Sequence, residues 1–277
     1  MRVANGPSRS RLNGKSENKP NRHPQPGCFD TPDLPTKQPI SMKQIHLIPL
    51  LLLTSSLLFT ACDTTSSDVE DELFVLRASD VEADPGTRDP QTGQLSSNNT
   101  FTLYSLADNE IVLSSNETDP AVRAADSAST AWDIGFKGTT IIFNGGTSGP
   151  GQAAAQILEA AFGAVTEAPT AGYIQDGQNS ECPGVVTPAG TFPGAPYAIC
   201  TGDENGWYDY QASANLITPI AGRTIVMTTA TGAYAKLRIL SYYKGAPSSP
   251  DPLSDEARFY TFEYVLQEDG STNLSAN

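Results

Sequence analysis

Histidine is nearly missing from these 277 residues: only His23 and His46 occur, and none follows His46. Basic residues are also scarce, with 17 Lys+Arg against 31 Asp+Glu, a formal charge of −14 and a pI near 4.4. That balance excludes nonspecific nucleic-acid binding, because a net-negative surface repels a polyanion and no basic patch interrupts it. Long apolar runs are absent apart from one stretch near residue 50, and a mean hydropathy of −0.29 argues against a polytopic membrane protein. Turn formers are plentiful instead, with Gly 23 and Pro 21. They favour short strands and many turns over long helices, in a chain long enough for one main domain with attachments.

Residues 1–41 are polar, rich in Pro and basic residues, and carry no apolar period able to bury a face. The segment 42–61 reads differently. Met42 and Lys43 form a short positive start, an apolar stretch runs from Ile45 to Phe59, and Phe59-Thr60-Ala61 leads into Cys62. It resembles a bacterial lipoprotein signal, which implies cleavage before Cys62, acylation of its thiol with palmitate-type chains, and anchorage to outer-membrane lipid or the cell surface. A single membrane span or buried helix is the competing reading, although Pro49 and Thr54-Ser55-Ser56 interrupt it. A signal starting at Met42 makes residues 1–41 a non-native extension. Cleavage leaves residues 62–277 without any histidine and with nine basic against 28 acidic residues, a net of −19.

Residues 62–99 read as a lipidated tether and linker, acidic at first and then rich in Asp, Pro, Gly and Asn. The body is expected over 100–270. Alternation at 101–105 and 110–113 predicts a hairpin, and Trp132, Ile134 and Phe136 at period two predict a strand followed by another at 139–143. The Gly-rich 145–151 then leads into Gln152-Ala-Ala-Ala-Gln-Ile-Leu-Glu-Ala-Ala-Phe-Gly163, read as the one convincing helix. Strands are expected at 224–229, 233–243 and 258–267, with Ala235, Leu237, Ile239, Tyr260, Phe262 and Tyr264 facing inward, and residues 271–277 as a frayed tail. The expected class is mostly β, antiparallel sheets with one short helix.

Cys182 and Cys200 are an even pair in an exported chain and predict a disulfide, which by chain entropy contributes roughly 3 kcal/mol. A metal pair needs further ligands that the exported part lacks. Without His or a free Cys no Ser-His-Asp or Cys-His arrangement forms, and Gly145–Gly151 lacks the Lys-Ser/Thr of a phosphate loop. Catalysis is therefore not expected. Asp203, Glu204 and Asp209 beside Trp207, Tyr208 and Tyr210 leave two options open. One is a sugar-stacking or adhesion platform, and the other a glycan hydrolase that needs carboxylates about 5 to 9.5 Å apart across a cleft. A plain acidic turn beside aromatic anchors is the blander reading. Met227 reads first as core beside Ile225.

Trp132-Asp133-Ile134-Gly135-Phe136, Asn144-Gly145-Gly146-Thr147-Ser148-Gly149 and Thr231-Gly232-Ala233-Tyr234-Ala235-Lys236-Leu237, with Ser241-Tyr242-Tyr243, the Tyr264 strand and Asp269-Gly270, resemble the HmuY-like family of haem-binding lipoproteins over roughly residues 100–270. The resemblance implies a β-rich surface lipoprotein that captures haem for a partner uptake transporter, its iron held by His-His or Met-containing pairs. This chain departs from that pattern: after Cys62 only Met227 offers a thioether, and Asn215 stands where the resemblance suggests a His in relatives. Tyr173, Tyr197, Tyr208 and Tyr210 are nominated as aromatic contacts because they flank irregular segments. Arg223, Lys236 and Arg238 are nominated as the cations able to offset two propionates. Intact mass measurement of membrane-fraction protein under nonreducing conditions is expected to give a chain starting at Cys62, carrying acyl mass and lacking two protons for the disulfide. Material that retains His46 would overturn the export reading.

Overall fold

The computed structural model describes residues 72–91, 95–187 and 190–276, all within the compact unit Thr65–Asn277. The signal-like segment, Cys62 and the first part of the tether lie outside the described residues. Strands are numbered in chain order. One five-stranded sheet contains β1 (Leu76–Glu82), β8 (Ala154–Glu159), β13 (Arg223–Thr228), β14 (Tyr234–Tyr243) and β15 (Ala257–Gln267) in the order β1-β15-β14-β13-β8. A four-stranded sheet orders β4 (Thr102–Ser105), β5 (Glu110–Leu113), β6 (Ile134–Lys137) and β7 (Thr140–Phe143) as β5-β4-β6-β7. Three ribbons complete the set: β2 (Thr87–Arg88) with β3 (Leu95–Ser96), β9 (Val185–Thr187) with β10 (Gly190–Phe192), and β11 (Tyr208–Gln211) with β12 (Leu216–Pro219). Every pairing between these strands is antiparallel. The class is mostly β with one short α-helix, α1 (Pro120–Ser127).

The two sheets share one core. Tyr104, Ile134, Phe136 and Phe143 from the four-stranded sheet meet Ile225, Met227, Leu237, Tyr260, Phe262 and Tyr264 from the five-stranded one. Phe136 lies 4.6 Å from the Tyr260 ring and 5.5 Å from that of Phe262. Each large side chain so buried contributes roughly 1.5–3 kcal/mol. The inward faces anticipated for β14 and β15 are therefore the ones observed. The opposite face of the five-stranded sheet is also covered, by Phe162, Val165, Ala168, Val226, Val265 and Leu274. A third cluster, Leu103, Leu113, Trp132 and Ile142, lies on the outer face of the four-stranded sheet.

Three expectations need correction. The stretch expected as the helix is β8 followed by a single 3-10 turn, Phe162–Ala164. Its six residues pair in register with β13, and Ile157 and Leu158 pack on opposite sides of the sheet, one in each core cluster. That is the side-chain alternation of a strand, and sheet pairing has overruled the alanine-rich helix propensity. The actual helix starts at Pro120 behind Asp119, whose carboxylate accepts the Ala121 N–H at 2.8 Å, an N-cap followed by proline at the first helical position. The sheet begins at Leu76, ahead of the expected boundary near residue 100, since β1 pairs with β15 around a bulge between Ala78 and Val81. The tail is docked rather than frayed: Leu274 is fully buried, and its N–H donates to Thr166 O at 2.8 Å.

Buried aspartates tie distant segments together. Asp133 accepts the Leu106 N–H at 2.9 Å and the Ala230 N–H at 3.0 Å. Asp176 accepts the Phe143 N–H at 2.8 Å and the Ala198 N–H at 2.7 Å. Burial raises both carboxyls above their usual range, and the backbone bonds pull back against that. Cys182 and Cys200 form the expected disulfide, Cα–Cα 5.1 Å, and enclose the short β9–β10 ribbon. Asp133→Ala orphans two buried N–H groups, at about 1–3 kcal/mol each. Urea unfolding is expected to show a loss of at least about 2 kcal/mol, whereas a loss no greater than that of an exposed Glu181→Ala control would deny the clamp its role.

Candidate functional site

The residues nominated from sequence are distributed over three places. Met227 is fully buried in the shared core, opposite Ala155 and Ala235 on the neighbouring strands. Trp207 and Tyr208, 3% and 8% exposed, belong to the same core. The Trp207 ring lies 5.0 to 5.8 Å from those of Tyr208, Tyr260 and Tyr242, and its indole N–H donates to Thr139 O at 2.9 Å. The sugar platform is thereby corrected: of its three rings only Tyr210 reaches solvent, and the Tyr210 hydroxyl donates to Asn215 Oδ1 at 3.0 Å across the β11–β12 turn. Tyr173 packs behind the five-stranded sheet, 6.2 Å from the Tyr234 ring. Its buried hydroxyl has no hydrogen-bond partner among the described residues, and burial pushes it up to about 12. Tyr197 packs on the outer face of the four-stranded sheet, with its phenol raised by burial first and by Asp176 second.

What the fold does bring together is the set of cations nominated to offset acidic charge. Lys236 and Arg238 lie two apart on β14, on the face turned away from the shared core, so both reach Phe162 in the 3-10 turn that follows β8. Lys236 Nζ sits 4.6 Å and the Arg238 guanidinium 5.1 Å from the Phe162 ring centre, within cation–π range. Arg223 joins them at the start of β13, where its guanidinium donates to Glu159 at 2.8 Å and to the carbonyl of Glu204 at 2.8 Å. Arg223, Arg238, Phe162 and Ile220 line a cavity of about 320 Å³. A neighbouring cavity of about 550 Å³ shares Pro219, Ile220, Ala221 and Arg223 with it, and Glu204 and Asp209 form its acidic rim. Phe162 was missed by the sequence reading because it was assigned to a helical stripe.

Lys236 is the unusual member. It is 2% exposed, and its Nζ donates to Phe162 O at 3.0 Å and Val165 O at 2.8 Å. No carboxylate lies within salt-bridge distance of it among the described residues. Burial lowers its pKa, since a charged amine loses more solvation than two carbonyls return. Its neighbour Arg238 is paired with Glu263 at 2.6 Å. No cluster of three or more His, Cys, Asp or Glu able to hold a metal ion occurs among the described residues.

A second cavity, about 450 Å³, opens on the outer face of the four-stranded sheet and is lined by Phe101, Leu103, Arg123, Trp132, Ile142 and Tyr197 among others. Trp132 is fully buried there, while the turn 144–151 wraps its indole. A Cβ on Gly149 would fall 2.8 Å from Trp132 Cζ2, so only glycine allows that approach.

The family model described as HmuY protein matches residues 97–264. The solved structures similar to this chain include the apo HmuY analogue of Tannerella forsythia, 15% identical over 72% of this chain and 100% of that one, TM-score 0.36. The apo PinO of Porphyromonas gingivitis is 15% identical over 70% and 97%, TM-score 0.38. A Bacteroides vulgatus chain described as a candidate HmuY-like haem-binding protein is 15% identical over 68% and 96%, TM-score 0.37. No curated protein matches. The family match spans more than half of the sequence, and the chain belongs to the HmuY family.

The lowered pKa of Lys236 has a definite sign. Between its folded value and the unfolded 10.5 the unfolded chain holds more protons, so this residue's contribution to stability rises with pH. From about pH 7 toward about pH 10 the wild type is expected to gain urea-unfolding stability relative to Lys236→Met. A difference that stays constant or shrinks over that range would contradict a desolvated amine.

Proposed function

We propose that this HmuY-family chain is a noncatalytic, lipid-anchored protein of the outer membrane or cell surface that captures haem, or a related flat molecule bearing two carboxylates, and passes it to an uptake transporter. The observation that carries this reading is the convergence of Arg223, Lys236 and Arg238 about Phe162 beside a cavity, in a chain whose residues 62–277 sum to −19. An aromatic face with guanidinium groups at its edge suits a planar apolar body with anionic substituents. Arg223 and Arg238 would take the carboxylates, exchanging their exposed pairing with Glu159 and Glu263, which as surface ion pairs hold them by only about 1 kcal/mol or less. Lys236, sealed beneath Phe162, supplies charge and fixes the ring.

The fit to the macrocycle is better than the fit to its iron. Met227, the one thioether after Cys62, is closed inside the shared core between two alanines. Asn215 occupies a turn with positive φ and has its Oδ1 engaged by Tyr210. The raised phenols of Tyr173 and Tyr197 disfavour the phenolate that ferric iron prefers. Recognition in this reading therefore runs through the periphery of the ring, and iron is dispensable.

Titrations of the protein with haemin and with iron-free protoporphyrin, followed by their absorption bands, test this. Both are expected to saturate with affinities within about tenfold of each other, the free energy of a single coordination bond being absent. Arg223→Ala with Arg238→Ala should weaken both together, and Met227→Leu should leave the haemin spectrum unchanged. Failure of either porphyrin to saturate at micromolar protein would remove the capture role. Haemin binding that depends on Met227 would instead restore an axial ligand.

A further inference from the structure

We propose that the cavity over Trp132 is a second binding site, separate from the one beside Phe162, and that it takes a small aromatic ligand bearing one carboxylate. Two independent observations point to an acceptor-bearing guest. The indole of Trp132 is fully buried, lines the cavity, and its Nε1–H has no hydrogen-bond partner among the described residues. A buried donor left unpaired costs about 1–3 kcal/mol, so a guest that brings an acceptor to it would recover that cost. The other indole, Trp207, has its N–H satisfied by Thr139, so the orphaned donor is a property of this place and not of tryptophan in this fold.

The second observation is Arg123. It reaches the same cavity from α1, and its guanidinium is oriented by the carbonyls of Ser114 at 2.9 Å, Glu117 at 3.4 Å and Phe101 at 3.0 Å. No carboxylate pairs with it within 4.0 Å among the described residues, although acidic residues outnumber basic ones three to one after Cys62. An arginine held rigidly by backbone and left without a counter-charge presents a preorganised anion site. Phe101, Trp132 and Tyr197 supply aromatic walls, Leu103 and Ile142 an apolar floor, and Thr147 and Ser148 further hydroxyls at the mouth. The volume, about 450 Å³, lies in the lower half of the range usual for small-molecule sites. One guanidinium and one indole donor match one carboxylate, whereas the site beside Phe162 carries two arginines.

The test uses 1-naphthylacetate and its uncharged amide, 1-naphthylacetamide, titrated calorimetrically into the wild-type body, with the two indole N–H signals of the chain followed by NMR. Trp207→Phe assigns them. The acid is expected to bind at least about tenfold more tightly than the amide, as a charge-assisted contact requires, and to shift the Trp132 indole signal while that of Trp207 stays in place. Arg123→Gln should remove the preference for the acid and leave the porphyrin titrations unaltered. Because the acid and amide are compared on the wild type, the outcome does not hang on that variant folding. Equal affinity for acid and amide, an unmoved Trp132 signal, or displacement of the acid by porphyrin would each overturn the proposal. The first two leave the haem reading intact, and the third merges the two sites.

Discussion

The Asp133 carboxylate is the contact on which the remainder of the architecture leans. Its two oxygens take N–H groups from Leu106, in the turn after β4, and Ala230, in the turn between β13 and β14. Those turns belong to different sheets, so one side chain sets how the sheets meet. A neutral amide could accept only one of those bonds and would set a donor against the other. The price is desolvation, seen in the raised carboxyl, and it is offset by two charge-assisted bonds in a place where neither N–H has water to turn to. Asp176 repeats the device between Phe143 and Ala198, and so pins the disulfide-stapled segment that carries Tyr197 against β7.

This explains why the motifs that carry the family resemblance say more about fold than about ligand. Trp132-Asp133-Ile134 supplies the clamp and two core faces. Asn144 bridges the same region, its amide donating to the carbonyls of Ser129 at 2.9 Å and Trp132 at 2.7 Å while its oxygen accepts the Gly151 N–H at 3.0 Å. The glycines around it are required by contact: a side chain on Gly151 would run into Ala230, the residue that Asp133 holds. In this chain those residues are occupied in joining the sheets, so they constrain the fold and leave the ligand open. The absence of imidazole after His46 is compatible with an intact fold for that reason.

Legibility followed the physics of each element. β14 and β15 are long, half of each is inward-facing, and their alternation announces itself. Even there, parity changes at the bulges after Ile239, which bring Tyr242 and Tyr243 into the same core although they are adjacent in sequence. β8 was misread because Ala-Ala-Ala-Gln-Ile-Leu carries helical propensity, and the six-residue ladder to β13 that overrules it is invisible locally. β1 was missed because Asp80, at positive φ within the bulge between Ala78 and Val81, broke its alternation. Leu274 looked like part of a polar tail because only the tertiary fold shows the hollow it fills. Trp207 and Tyr208 turn inward for a related cause: they border an irregular segment, yet irregular chain can lie against a core and deliver large rings into it.

The cations were legible because they are rare, and their rarity shapes how binding must work. Arg77, Arg223, Arg238 and Lys244 sit in ion pairs, Lys137, Lys236 and Lys244 lie over aromatic rings, and Arg258 donates to Asp84 O at 2.7 Å. Apart from Arg223, Lys236 and Arg238 beside Phe162, none of these described cations is gathered into a patch, and a net charge of −19 over residues 62–277 repels an anion at a distance. Beyond about 8–10 Å that repulsion is screened at physiological salt, so an anionic guest meets it only on close approach, where a guanidinium held at the edge of an aromatic wall reverses the sign locally. Arg123, held by three carbonyls and with no carboxylate within 4.0 Å among the described residues, would make that reversal in the cavity over Trp132. In the binding roles proposed above, selectivity would then come from contact geometry at short range, and the acidic exterior would act as a filter against anions that lack the apolar body to reach it.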